Sequence, residues 1–260
     1  MARARLMPQT AAVAALLVAF ATPQRATAMA PPLPVPSRRA IALVAEVAPD
    51  LAERLRGAVS TEATWTPLPF YRSYGLLRVV GLTVPHPTLA QVLAGREAAL
   101  GGAGGTDARR GAHDAGPARG AGAAIVLPLG SPASLAEANA AAGLALASGH
   151  AVEYLMFALD AMGGAPTTRP RLVFGADRLP WLPRPSPEDA ARIAAASSRL
   201  AGRVAPPRVQ REASGAWRVA AEALVGATLQ SIVWRIAPDG RVERLSAETI
   251  EADLPVAVVA

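Results

Sequence analysis

The sequence predicts an α+β fold in which a helical middle packs on a C-terminal antiparallel β-meander. Two observations carry that prediction. Between Ser134 and Gly202 apolar residues recur at helical spacing behind recognisable caps, whereas from Arg208 onward they alternate with polar residues and are punctuated by glycine turns.

The chain opens with Arg3 and Arg5, an apolar run from Ala11 to Ala21, and a small-residue site at Ala26-Thr27-Ala28. That order is expected of a cleavable secretory signal peptide over residues 1–28, with the mature chain starting near Met29 and working in the periplasm or outside the cell. Residues 29–36 contain Pro31-Pro32-Leu33-Pro34-Val35-Pro36 and read as a proline-rich leader of extended backbone. An N-terminal α/β part is expected over 37–100. Its Ile41 to Val47 segment fits strand and helix alike, and Pro49 stops any helix from continuing to Arg56. Phe70 to Val84 reads as a half-buried strand with Leu76, Val80, Leu82 and Val84 on the inward face. Thr88 and Gln91 have capping-box spacing, so a short helix is expected to start there.

Residues 101–122 (Gly101 to Gly122) are rich in glycine and charge and hold no large apolar residue; they read as a disordered linker. A C-terminal α+β part, 123–260, follows. It is expected to contain a strand at Ala124 to Leu129, a helix capped by Ser134 with Glu137 and running to about Ala147, and a second helix near 150–162. The latter carries Val152, Leu155, Met156, Leu159 and Met162 on one stripe. A strand at Arg171 to Phe174 precedes the best-marked helix, with Ser186 as N-cap, Pro187 in the first turn, Asp189 at the capping-box position and Gly202 as the stop. Turns at Ser214-Gly215, around Gly226 and at Pro238-Asp239-Gly240 then divide the meander. Trp217, Val219, Ala221, Ala223 and Val225 are expected to face inward with Ile232, Trp234 and Ile236, both tryptophans packing against the helix of Ile193 and Leu200. Pro255 to Val259 is a candidate edge strand.

Composition narrows the function classes. All 26 basic residues are arginine, and the formal charge is +6. Arg3, Arg5 and Arg25 lie in the signal region, so removing them leaves +3, and no dense basic run with interleaved aromatics appears. Nucleic acid is therefore not an expected partner. The chain has no cysteine, which excludes disulfides, a lipid-modified cysteine and thiolate metal sites. No stretch after the signal is apolar for long enough to span a bilayer. With three histidines and no HExxH spacing, neither a metal nor a cofactor is expected. His86 sits between two prolines and His113 lies in the glycine-rich segment.

His150, Glu153 and Asp160 share one arc of the second helix at about 100° per residue. A histidine beside carboxylates can serve as a general base, because the anion orients the ring and raises its basicity. The same residues also suit a solvated face, or carboxylates paired to the arginines that begin at Arg169. Trp65, Tyr74 and Trp181 stand in two proline-aromatic clusters; exposed they would anchor a ligand, and buried they would fill an alanine-rich core. The reading that follows is an exported, non-catalytic module that binds a protein or a small ligand. Its alternative is a hydrolase or lyase using His150 with Glu153 or Asp160.

Overall fold

A computed structural model describes residues 30–83, 87–101, 126–162 and 168–257. The expected signal peptide, His86, His113 and all of the glycine-rich segment except Gly101 lie outside the described residues. The chain is an α+β protein built on two antiparallel sheets.

The first sheet takes its strands in chain order: β1 (Leu33–Pro34), β2 (Ser60–Pro67), β3 (Tyr74–Leu82), β4 (Thr88–Gly95) and β5 (Val126–Pro128). The proline-rich segment thus enters the fold as an edge strand, Leu33 opposite Trp65, a place that suits proline because it has no N–H to donate. On one face of this sheet lie helices α1 (Ser37–Val47), α2 (Pro49–Arg56) and α3 (Arg96–Leu100). Ile41 to Val47 is helical, with Ala40, Leu43 and Val44 buried at the i, i+3, i+4 spacing of one helix face. Ala48, at φ −147° and ψ 72°, breaks it from α2, whose first turn begins with Pro49.

Two expectations for this region are corrected. The β3 face turned to the helices carries Gly75, Leu77, Val79 and Gly81, not Leu76, Val80 and Leu82; Val84 lies outside the described residues. Apart from Arg78, both faces of Leu76-Leu77-Arg78-Val79-Val80 are apolar, so the apolar residues alone do not choose between them, and a slip of one residue exchanges them. Thr88 to Gly95 is strand β4, not a helix. It pairs with β3 from Thr88↔Gly81 to Gly95↔Tyr74, and small Ala90, Val92 and Ala94 fill the space under α1. A full ladder outweighs a capping signal worth about 1 kcal/mol.

Helix α4 (Pro132–Ala142) starts earlier than expected. Ser131 is its N-cap, reciprocally bonded with Ser134, and Gly143 ends it at φ 66°. A 3-10 turn at Ser148–His150 leads into α5 (Ala151–Ala161). The second sheet has the order β10 (Val242–Glu251), β9 (Thr228–Ile236), β8 (Trp217–Val225), β6 (Arg171–Val173), while β7 (Arg208–Arg211) shares the outer edge of β8 with β6. The meander, its three turns and its inward face stand as the alternation predicts, with Trp217, Val219, Ala221, Ala223, Ile232, Trp234 and Ile236 buried. Their covering helix is different. The tryptophans pack with Tyr154, Leu155 and Ala158 of α5, whereas α6 (Pro187–Leu200) sends Leu200 to the opposite side, against Leu224, Leu229, Leu254 and Val256. Trp181 and Val256 form an isolated antiparallel bridge in place of a regular edge strand.

The central core also takes Leu68, Phe70, Tyr71 and Leu93 from the first sheet and its loop. Strand β5, which follows the glycine-rich segment, pairs with β4 and so joins the first sheet.

Candidate functional site

Helix α5 carries the polar residues singled out by the sequence, and it is enclosed on nearly every side. Val152, Leu155 and Leu159 of the expected stripe are buried, but so are Glu153, Tyr154, Phe157 and Ala158 on the other arcs, while Met156 is 40% exposed. An arc shared around the axis is not a shared site. His150 and Asp160 are ten residues apart, which at 1.5 Å per residue separates them by about 15 Å along the helix.

Asp160 belongs to the far end of α5. Gln91 Nε2 of β4 donates to its Oδ2 at 2.8 Å, and the Arg169 guanidinium pairs with Oδ1. This is the structural ion pair that the arginines after Thr168 made available. Asp160 is thus occupied in fastening α5 to the first sheet and does not stand with His150.

At the near end, His150 occupies the N-cap position and Glu153 the third residue of the helix. The glutamate is 4% exposed. Its Oε2 and the His150 Nδ1 are both buried without a hydrogen-bond partner. Burial holds the Glu153 carboxyl above the usual glutamate range, and the charge of His150 partly offsets this. Buried polar atoms are nearly always paired, so two orphaned atoms on neighbouring side chains mark this junction as chemically unusual.

Sequence reasoning missed a second polar group beside it. The Tyr71 hydroxyl donates to Asn139 Oδ1; Asn139 Nδ2 donates to the Tyr154 hydroxyl at 2.7 Å and to the Asp239 carbonyl at 3.1 Å; Tyr154 donates to the Gly240 carbonyl at 2.6 Å. Burial raises both tyrosine hydroxyls well beyond their ordinary range. The network is closed on itself, linking the β2–β3 loop, α4, α5 and the β9–β10 turn. Its one legible signal was Asn139, a polar residue amid the alanines of an otherwise apolar helix face.

The aromatic candidates separate. Trp65 is enclosed in the first sheet's helical core, its Nε1 donating to the Ala94 carbonyl at 3.1 Å, so it offers no exposed anchor. Tyr74 is half-buried against the central core, and Trp181, also half-buried, packs on the cluster under α6. Tyr74 and Trp181 belong to different clusters and form no common groove.

An apolar surface does appear on the first sheet. On the face away from α1 and α2, Leu76 and Leu93 are covered by the central core, but the same face continues to Val80, Leu82 and Leu89. Leu82 is 57% exposed and Leu89 46%. Val80 is directly opposite Leu89, and Leu82 is its diagonal neighbour, close enough for side-chain contact. Val59, 86% exposed, adjoins them through its N–H bond to the Leu82 carbonyl.

Among the described residues no group of three or more His, Asp or Glu side chains could hold a metal, and no helix is long and apolar enough to cross a membrane. No family model, curated protein or solved structure matches the chain.

Proposed function

We propose that this chain is an exported module, acting in the periplasm or outside the cell, that works by binding a partner protein through the open end of its first sheet. One observation carries the reading: Val80, Leu82 and Leu89 form a contiguous apolar surface with Val59 beside it, on a sheet face whose other end, at Leu76 and Leu93, is covered by the central core. Exposed apolar clusters of this kind mark interaction sites on soluble proteins. The apolar signal at Ala11 to Ala21 supports export.

A second reading, hydrolase or lyase chemistry by His150 with Glu153, is favoured by the two unpartnered buried atoms of that pair. Asp160 takes no part in it, being held at the other end of α5.

One experiment separates these readings. A photo-crosslinking residue at Leu82 should give a single discrete adduct in the exported fraction, where the recovered chain begins close to Met29. The adduct should vanish when Leu89→Asp is added, with thermal stability unchanged because both positions are exposed. Adducts indifferent to Leu89→Asp would overturn the binding surface. Hydrolytic or lyase turnover abolished by Glu153→Gln would overturn it in favour of the second reading.

A further inference from the structure

The junction between the 3-10 turn and α5 holds Glu153, buried with its Oε2 unpartnered, three residues after half-buried His150, whose Nδ1 is unpartnered as well. A carboxylate buried without a partner costs far more than a neutral carboxyl. A proton on Glu153 resolves the conflict, and when that proton leaves, a buried carboxylate with an unpartnered oxygen remains.

Among the described residues, the other charged groups on the elements packed here are placed elsewhere. Of the elements packed here, α4 bears Glu137, which is exposed. Arg218 and Glu222 of β8, and Arg208 of β7, lie on the sheet face opposite Trp217, Val219 and Ala221, turned away from α5. Arg211 stands over the Trp217 ring, 5.4 Å from its centroid. Arg72, Arg78 and Arg244 are exposed, and the Asp239 carboxylate accepts from the Arg241 N–H in the β9–β10 turn. Asp160 is bound to Arg169 and Gln91 at the far end of the helix. A positive charge on His150 would lower the proton affinity of Glu153, opposing the effect of burial.

We propose that Glu153 is a proton-held latch: while its carboxyl is protonated the first turn of α5 stays seated in the core, and loss of that proton loosens the turn. The direction follows from linkage. A carboxyl whose affinity for its proton is raised by folding contributes stability that is fully present below the ordinary glutamate range and is lost as pH rises through the raised value.

The test follows thermal midpoint and amide protection in buffers from about pH 4 to 9, bracketing the ordinary glutamate and histidine values. In the unaltered chain the midpoint should fall as Glu153 loses its proton. The amides of Tyr154 and Leu155, bonded in the helical pattern to the carbonyls of His150 and Ala151, should lose protection over the same interval. Glu153→Gln keeps the shape and removes the charge. It should abolish that step and leave the midpoint at the alkaline end above that of the unaltered chain. His150→Gln leaves the glutamate to titrate alone and should move the step to a different pH. A Glu153→Gln profile parallel to that of the unaltered chain would overturn the latch. So would a Glu153→Gln chain less protected at every pH, since the carboxylate would then be serving as a favourably held anion.

Discussion

A glycine can be required for its backbone angle alone or for the room it leaves, and Gly215 and Gly240 separate the two needs. Both adopt left-handed angles, φ 82° and φ 84°. A Cβ at Gly215 would meet only Pro238 Cγ at 3.8 Å, ordinary contact, whereas one at Gly240 would fall 2.3 Å from Asn139 Nδ2 and from the Tyr154 hydroxyl. Gly215→Ala should therefore cost the left-handed penalty of about 1 to 2 kcal/mol. Gly240→Ala should cost distinctly more, because it also displaces a buried network whose unsatisfied groups are worth about 1 to 3 kcal/mol each. Denaturant midpoints of the two variants measure the difference, and equal losses would show that the network yields without cost. The turn at Pro238-Asp239-Gly240 was legible from local chemistry. Its second duty was not, because the Tyr154 hydroxyl that fills the space beside Gly240 comes from 86 residues earlier in the chain.

At the scale of elements, legibility followed how far each signal depends on distant partners. Helix α6 was readable because Ser186, Pro187 and Asp189 form its cap among themselves, the Asp189 N–H donating to Ser186 Oγ at 3.0 Å. The meander was readable because period-two alternation is steady from Trp217 to Ile236. Strand β4 was misread because its identity comes from the ladder with β3, and with Leu89, Val92 and Leu93 apolar on both faces it has little alternation of its own. The partner of the tryptophans was misread for a related reason. Both α5 and α6 present apolar residues, and which sheet face each covers depends on topology. With Trp217 opposite Ile236, Val219 opposite Trp234, and α5 above them, Trp234→Ala should cost about 3 to 5 kcal/mol. That is a large share of a typical stability of about 5 to 15 kcal/mol. The equivalent change under α6, Leu200→Ala, should leave the tryptophan fluorescence of the central core native-like. Because Trp181 packs in the same cluster as Leu200, the comparison is made in a Trp181→Phe background, where red-shifted emission from folded Leu200→Ala would mean that the two clusters are energetically one.

For the whole molecule, the glycine-rich segment is a boundary in composition and not in the fold. Strand β5, on its far side, closes the edge of the first sheet. Phe70, Tyr71 and Leu93, on its near side, pack into the core built by α4, α5 and the second sheet. Gln91 and Asp160 join the two halves a second time, and Tyr71 with Asn139 a third. The polar pair at the start of α5 sits inside this shared core. Had each half been self-sufficient, Leu68, Phe70 and Leu93 would have been free to cover only their own sheet. Because apolar burial contributes about 25 cal/mol for each Å² removed from water, residues 123–260 expressed alone would lose the cover over Tyr154, Phe157 and Ala158 that those side chains supply. Such a fragment should retain helical circular dichroism but bind hydrophobic dyes and melt without a sharp transition. The full chain should melt once, with calorimetric and van't Hoff enthalpies equal, as a single cooperative unit requires. A sharp transition in the isolated fragment, or two transitions in the full chain, would show that the halves fold independently and that the aromatic contacts between them are incidental to stability.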